Sequence, residues 1–275
     1  MNGCLIRTAQ LQNPASGRCV AVAFDHGGGG MPPGGADVPA ILDVVCASGA
    51  ADAVLLGPGL SRAAGSRLAA PSAPALITAL DAPIFGARPG EHGDLITQRR
   101  LLDAGTALRN GATSAKVAMP LGLDDADRWA DSVSLIAGAI EDAHAAGLPV
   151  MVEPALWGPV AAHDDELIAH SARVSWELGA DSVKIHATED AAVLARIVDH
   201  SPGPVYVLGG APASAEAFLA DVDRWIDAGV AGVVVGRNVW ARPEPGRMIR
   251  ALAAVVHDRD LDAARAVLRE EAVLA

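Results

Sequence analysis

Residues 179–190 read GADSVKIHATED and place a lysine, Lys184, in the middle of a strand-like run. Lys184 lies between Val183 and Ile185, so its ammonium group is expected inside the protein. An unpaired buried charge costs several kcal/mol, and an interior lysine is therefore normally paired with carboxylates or neutralised for chemistry. The rest of the chain shows which groups are available for either role.

Seven more short apolar runs resemble this one, and helical patterns such as 124–147 and 214–229 lie between them. Parallel strands require crossover helices, and continuously apolar strands indicate burial on both faces. The 275-residue chain is thus predicted to be an α/β protein, a single (β/α)8 TIM barrel over residues 1–275, with C-terminal helices after the last strand. The eight predicted strands are 18–25, 51–57, 74–80, 114–120, 148–154, 180–186, 203–210 and 231–237.

Composition narrows the function classes. A formal net charge of −12 disfavours nucleic-acid and anionic-membrane partners, which need a basic face. No apolar run reaches the length of a membrane span, and no secretion signal is present at the N-terminus, so a cytoplasmic location is expected. Cys4, Cys19 and Cys46 are odd in number and lack a CxxC spacing, which indicates reduced thiols.

Four charged residues share the inward parity of their strands. Side chains alternate along a strand, and in TIM barrels the active site forms at the C-terminal strand ends. Asp25, Lys116, Glu153 and Lys184 are therefore expected to converge at the barrel mouth. One interpretation is a structural ion-pair network. The other is catalytic: two neighbouring lysines lower each other's pKa, which would make Lys184 a nucleophilic amine.

A second signal concerns anions. Strand seven ends in LGGAP (208–212) and strand eight in VGRNVW (235–240), where many TIM barrels bind phosphate. Gly209, Gly210 and Gly236 would let the backbone approach a phosphate, and Arg237 would add a charged contact. No metal-ligand spacing and no nucleotide motif stands out, so neither a metal nor a cofactor is expected.

Several of these segments resemble the archaeal-type class I fructose-bisphosphate aldolases, whose superfamily includes tagatose-bisphosphate and deoxyribose-phosphate aldolases. The segments are DHG (25–27), GLPVMVEP (147–154), ELGADSVKIH (177–186), LGG (208–210) and GVVVGRNVW (232–240). The resemblance implies a Schiff-base lysine at Lys184, a role for Asp25 in carbinolamine chemistry, a phosphate site at Gly209, Gly210, Gly236 and Arg237, and a homo-oligomeric assembly. His26, next to Asp25, is a candidate substrate contact.

The chain departs from the archaeal pattern in one place. Ala155, in EPALWG, stands where those enzymes carry a tyrosine acid/base. Glu153 with Lys116 resembles instead the tagatose-bisphosphate and sulfosugar-phosphate aldolases, and a Glu153 whose pKa is raised by burial would supply the proton transfer. His186 shares the parity of Lys184, and Trp157 follows strand five; each either lines the site or packs structurally.

The sequence therefore predicts a class I aldolase that acts on a phosphorylated ketose or on dihydroxyacetone phosphate. Two enzymes of the same scaffold remain alternatives, namely a heptulosonate-type transaldol synthase and a thiolase for a phosphorylated signalling molecule. A non-catalytic phosphosugar-binding barrel is the alternative from a different class. The tail after residue 257 is predicted to be an amphipathic helix that either lies at a subunit interface or caps the barrel.

Overall fold

The computed structural model describes residues 2–25, 37–86, 97–158, 160 and 162–269, and its centre is a closed barrel of eight parallel strands. The barrel order is β1-β10-β9-β8-β7-β6-β3-β2, with β1 pairing with both β10 and β2. All eight predicted strands are confirmed, and so is the (β/α)8 barrel class. The strands are β1 Cys19–Ala23, β2 Ala53–Leu56, β3 Ala75–Ala79, β4 Asp81–Ile84, β5 Thr97–Arg100, β6 Ser114–Leu121, β7 Val150–Leu156, β8 Ser182–Ile185, β9 Val205–Leu208 and β10 Gly232–Val235.

Alternation along these strands separates two cores. Outward-facing valines such as Val20, Val183 and Val233 pack against the helices, while inward-facing residues fill the barrel with small side chains and a few large ones. Gly232 marks the tightest point of this interior. Its φ is +135°, and a Cβ there would lie 2.0 Å from the carbonyl oxygen of Cys19.

The crossover helices begin at polar caps. Asp125, Asp164, Asp190 and Ser214 each accept hydrogen bonds from the first-turn amides of the helix that follows. The two long predicted helices are present as α6 and α9. The helices are α1 Asn2–Gln10, α2 Val38–Ser48, α3 Pro58–Ala63, α4 Gly65–Leu68, α5 Ala104–Arg109, α6 Ala126–Ala145, α7 Asp165–Glu177, α8 Ala191–Asp199, α9 Ala215–Asp227, α10 Arg237–Trp240, α11 Pro245–Ala253 and α12 Leu261–Arg269.

The tail helix is also present. It is α12, which packs against α9 and α11 of the same chain and buries Ala264. A π turn, Ala254–Asp258, connects it to α11. Helix α12 therefore packs on the helix layer, and both alternatives for the tail, capping of the barrel and a subunit interface, stay predictions. None of the helices in the described part of the chain is long and apolar enough to cross a membrane.

Two elements were not predicted. Helix α1 precedes the barrel, and the next residue, Leu11, is buried among the inward-facing core residues. Strands β4 and β5 form an antiparallel hairpin between β3 and α5, with Asp81 opposite Arg100. His26, the candidate substrate contact, lies outside the described residues, as does the Gly/Pro-rich stretch 27–35 that follows it.

Candidate active site

The four predicted charged residues meet at the barrel mouth in a chain of ion pairs. Lys184 Nζ lies 2.6 Å from Glu153 Oε1, and Lys116 Nζ lies 2.6 Å from Glu153 Oε2. Lys116 Nζ also lies 3.0 Å from Asp25 Oδ2. Each side chain is at most 10% exposed. We call Asp25, Lys116, Glu153 and Lys184 the mouth cluster; the structure brings them together as the alternation predicts, and their catalytic roles stay predictions.

Strand register explains why Glu153 is the centre of this cluster. Lys116 lies beside Met151, and Met151 lies beside Ser182, so these three residues share one level of the barrel. Glu153 and Lys184 are each two residues further toward the mouth. The glutamate therefore stands between a lysine on its own level and a lysine one level below, and one carboxylate oxygen reaches each ammonium group.

The contacts of Glu153 in the mouth cluster contradict its predicted protonation state. Burial disfavours its charged form, but the attraction of Lys116 and Lys184 outweighs burial and holds the pKa of Glu153 below its ordinary value. The expectation of a raised pKa is therefore wrong, because two ammonium groups contact the carboxylate directly. Glu153 rests as a carboxylate, which makes it a proton acceptor.

Lys116 differs from the expectation in the same way. Burial lowers its pKa, but Asp25, Glu153 and Asp81 together raise it well above the ordinary value of a lysine. The expectation that the neighbouring lysine lowers the pKa of Lys116 is therefore wrong, because the attraction of three carboxylates outweighs the repulsion of one cation. Lys116 is consequently a fixed cation. The ring of Trp157 lies over it, with the ring centroid 5.8 Å from Nζ.

The two lysines of the mouth cluster are the only lysines in the sequence; the other 19 of its 21 basic residues are arginines. Amine chemistry on side chains is thus confined to Lys116 and Lys184. Counting lysines is a sequence signal that would have marked both residues at once. Because only Lys184 is held by a single carboxylate among the described ion pairs, it is the better candidate for the reactive amine.

Asp81 is a buried carboxylate that the sequence analysis missed. It is 3% exposed and accepts hydrogen bonds from Gln98 Nε2 at 2.6 Å and from the Ala118 amide at 3.1 Å. Gln98 in turn accepts from Ser132 Oγ at 2.7 Å. Burial raises the pKa of Asp81, and Lys116 opposes that rise. Asp81 continues the inward parity of β3, a signal that would have found it.

A cavity of about 370 Å³ opens beside Lys184 and Glu153. It is also lined by all four predicted phosphate residues, namely Gly209, Gly210, Gly236 and Arg237. The residues of the predicted anion site and two members of the mouth cluster, Glu153 and Lys184, therefore line one cavity. Their use for phosphate stays a prediction, and His26, the other predicted substrate contact, lies outside the described residues.

Asn238, another residue that the sequence analysis missed, fixes the backbone at this end of the cavity. It is 1% exposed, and its Nδ2 donates to the carbonyl oxygens of Gly209 at 2.7 Å and Ala211 at 3.1 Å. Arg237 Nη2 donates to Gly210 O at 3.2 Å. In a trans peptide the N–H points opposite to the C=O, so the Gly210 and Ala211 amides point away from Asn238 and Arg237. Gly210 has a φ of +61°.

His186 and Trp157 both line this cavity. The Leu156 amide donates to His186 Nε2 at 3.4 Å. The Trp157 ring meets Phe85 edge-on, with 5.6 Å between ring centroids. Gly158 permits the close approach of this segment to β6, because a Cβ there would lie 2.0 Å from Gly122 O.

At the opposite end of the barrel, Cys4, His144 and Asp181 place their ligand-type atoms within 4.8 Å of one another. Hydrogen bonds already account for this group. Asp181 Oδ2 lies 2.8 Å from His144 Nε2 and accepts the Val150 amide at 2.8 Å. The three cysteines are free thiols, as predicted.

Comparison with known proteins points to one family. The sequence profile of the DeoC/LacD family aldolase matches residues 19–242. The 2-amino-3,7-dideoxy-D-threo-hept-6-ulosonate synthase of Halobacterium salinarum is 31% identical over 279 residues, which cover 96% of each chain. An archaeal fructose 1,6-bisphosphate aldolase crystal structure superposes with a TM-score of 0.77 at 26% identity, over 92% of this chain and 98% of that one. Another archaeal fructose-1,6-bisphosphate aldolase structure, with its catalytic lysine covalently bound to the carbinolamine intermediate of the substrate, gives a TM-score of 0.75 at 26% identity, over the same shares of the two chains.

Proposed function

The chain belongs to the DeoC/LacD family of aldolases, and from that premise we propose that it is a metal-independent class I aldolase whose Lys184 forms a Schiff base with a phosphorylated ketose or dihydroxyacetone phosphate. The observation that carries this proposal is the contact between the Lys184 ammonium and the Glu153 carboxylate, 2.6 Å apart, in a cavity that also holds the anion site. A lysine nucleophile needs a base that takes its proton, and Glu153 is placed to do so.

The reaction begins with proton transfer from Lys184 to Glu153. The neutral amine attacks the substrate ketone, forming a C–N bond and moving the C=O electron pair to the oxygen. The nitrogen then passes a proton to that oxygen, which gives a neutral carbinolamine with a hydroxyl group. That hydroxyl leaves as water with the proton that Glu153 holds, and an iminium ion remains on Lys184. Glu153 is then a carboxylate again, ready for the next proton.

Carbon–carbon cleavage uses the same carboxylate. Glu153 accepts the proton of the C4 hydroxyl, the C3–C4 electron pair moves toward the iminium nitrogen, and an aldehyde leaves. The enamine left on Lys184 takes at C3 the proton that Glu153 now holds, and water hydrolyses the resulting iminium to the ketone and the free lysine. In the synthetic direction the steps run in reverse. Glu153 is ionised before each proton arrives, because the attraction of Lys116 and Lys184 outweighs burial and holds its pKa below the ordinary value.

Lys116 and Asp25 set the charge of the site. Lys116 stays protonated and holds one oxygen of Glu153, which keeps the carboxylate in place through both proton transfers. Asp25 neutralises Lys116 and orients the carbinolamine protons.

The glycine turns at the ends of β9 and β10 supply the phosphate site. Asn238 and Arg237 hold the turn carbonyls, which directs the Gly210 and Ala211 amides to the other side of the turn. Binding energy gained at a phosphate remote from the reacting carbons positions the ketone against Lys184. Arg237→Met is expected to raise KM for a phosphorylated ketose about tenfold, with little change for the unphosphorylated sugar.

A panel of substrates tests the proposal. Fructose 1,6-bisphosphate and tagatose 1,6-bisphosphate are offered for cleavage, and dihydroxyacetone phosphate is offered with short aldehydes for synthesis. We expect turnover of at least one phosphorylated ketose, in the presence of EDTA. Binding of these compounds without turnover and without imine formation would replace the aldolase by a phosphosugar-binding barrel.

A second function is favoured by one observation. The synthase from Halobacterium salinarum named above matches this chain over nearly its whole length at 31% identity. A transaldol-type reaction that builds a heptulosonate uses the same Schiff base, and the product formed in the substrate panel distinguishes the two functions.

The predicted cytoplasmic location and homo-oligomeric assembly belong to this proposal as well, and light scattering measures the assembly.

A further inference from the structure

We propose that His186 is a substrate-contacting hydrogen-bond donor that holds an oxygen on the carbon chain of the imine-bound substrate. The inference rests on the proposed function, because it presumes a carbonyl substrate attached to Lys184. From strand parity alone, His186 either lines the site or packs structurally. The inference gives it a specific chemical role in the site.

The position of His186 puts its ring in the cavity that Lys184 and Glu153 also line. It follows Lys184 by two residues on the same inward face, about 6.6 Å further toward the mouth at the usual strand rise. A carbon chain attached to Lys184 Nζ and extending toward the mouth therefore passes the imidazole.

One backbone contact fixes the tautomer of the ring. The Leu156 amide donates to Nε2, so Nε2 carries a lone pair and a neutral imidazole carries its hydrogen on Nδ1. Burial lowers the pKa of His186, and Lys184 and His163 add to this lowering against the opposing effect of Glu153, which keeps the ring neutral at neutral pH. Among the residues that the structure describes, none accepts a hydrogen bond from Nδ1.

The neighbouring strand leaves room for a ligand at this nitrogen. Met151 pairs with Ser182 and Val152 with Val183, so continuing the register places Ala155 beside His186. Ala155 is buried and ends at Cβ, which opens the space above Glu153. Within the mouth cluster Glu153 accepts protons and both lysines are engaged with it, so the Nδ1–H supplies a donor beside Lys184 that is not paired with Glu153.

The competing interpretation is a histidine that only fills space and supports the Leu156 amide. Two isosteric substitutions separate the interpretations. In His186→Asn the side-chain amide nitrogen takes the place of Nδ1, whereas in His186→Gln it takes the place of Nε2. The asparagine variant therefore keeps a donor that faces the substrate. Support for the Leu156 amide does not require a donor at the Nδ1 position, so it gives asparagine no advantage over glutamine.

The experiment compares the wild type with His186→Asn, His186→Gln and His186→Ala, using kcat and KM for the active substrate, borohydride trapping of the imine, and circular dichroism for the fold. We expect His186→Asn within about fivefold of the wild-type kcat/KM, and the other two variants reduced about 10- to 100-fold, chiefly in kcat. An alanine variant with wild-type kcat/KM, an asparagine variant no better than glutamine, or an asparagine variant as slow as alanine overturns the inference. If the wild type itself traps no imine, the proposed function fails, which is a separate result.

Discussion

The two ends of the barrel use the same residue types for different purposes. At the N-terminal end, which we call the floor, Asp52 accepts the Val20 amide at 2.7 Å and Asp181 accepts the Val150 amide at 2.8 Å. In both cases the carboxylate at the start of one strand holds the amide of the preceding barrel strand. Each also has a histidine neighbour: His257 Nε2 lies 3.1 Å from Asp52, and His144 Nε2 lies 2.8 Å from Asp181.

At the mouth, the two carboxylates of the cluster contact ammonium groups. The floor carboxylates bind backbone amides, which never give up their protons, and so hold neighbouring strands together. The mouth carboxylates Asp25 and Glu153 bind lysine ammonium groups, and one of these lysines, Lys184, is the proposed nucleophile. The comparison separates carboxylates that fix the backbone of the barrel from carboxylates placed to exchange a proton with an amine.

The largest expected effect is at Lys184. Lys184→Met should lower kcat about 10⁴-fold or more while the fold persists, because the proposed nucleophile is lost and Lys116, the other lysine, is held by Asp25 and Glu153. The matched floor variant, Asp181→Ala, should keep wild-type kcat. Steady-state kinetics of both proteins checks this. An active Lys184→Met enzyme would contradict the assignment of the reactive amine to Lys184 at the mouth.

The next effect is at Glu153. Glu153→Gln removes the proton acceptor and should lower kcat about 10²- to 10⁴-fold. It also leaves two buried ammonium groups without their shared carboxylate, which is expected to cost about 3–5 kcal/mol of unfolding free energy at neutral pH. Activity assays and urea denaturation measure the two losses.

The pH dependence of that stability difference has a defined sign. The folded pKa of Glu153 is below the ordinary value of 4.5, so its contribution is fully present above pH 4.5 and is lost as the pH falls through the lowered pKa. The wild-type advantage over Glu153→Gln should therefore shrink in strong acid. An advantage that grows below pH 4.5 would show that Glu153 rests in its protonated form.

A smaller effect is expected at the floor. Asp181→Ala leaves the Val150 amide without its acceptor and should cost about 1–3 kcal/mol of unfolding free energy, measured by urea denaturation. Because the change is at the opposite end of the barrel from Lys184, KM and kcat should not change. A loss of activity without a loss of stability would contradict the structural role of the floor carboxylates.

The smallest effect concerns Trp157. Trp157→Leu removes the ring over Lys116, a contact expected to contribute about 0.5–2 kcal/mol, and should reduce kcat/KM only a few-fold. Trp157→Phe is the control, since it keeps an aromatic face. Equal behaviour of the two variants in kinetics and thermal unfolding would show that the cation–π contact is unimportant.

Local sequence patterns predicted much of this structure. Alternation and the repeated order of strands and helices predicted the barrel and the meeting of Asp25, Lys116, Glu153 and Lys184, because parity and topology depend on nearby sequence. The position of Asp81 was predictable from the inward parity of β3, but its partners Gln98 and Ser132 were not, because they come from β5 and α6 and no local pattern connects them to β3. The predicted protonation state of Glu153 was wrong because its pKa depends on the balance between burial and two ammonium contacts. Only the fold determines the distances of those contacts.

The central claim is most directly tested by borohydride reduction in the presence of dihydroxyacetone phosphate, followed by intact mass and peptide mapping. Because the chain has two lysines, one adducted peptide identifies the reactive amine. The account predicts a single reduced adduct on Lys184, absent from Lys184→Met. An adduct on Lys116 or at the N-terminus, or none with any phosphorylated ketose, would contradict it.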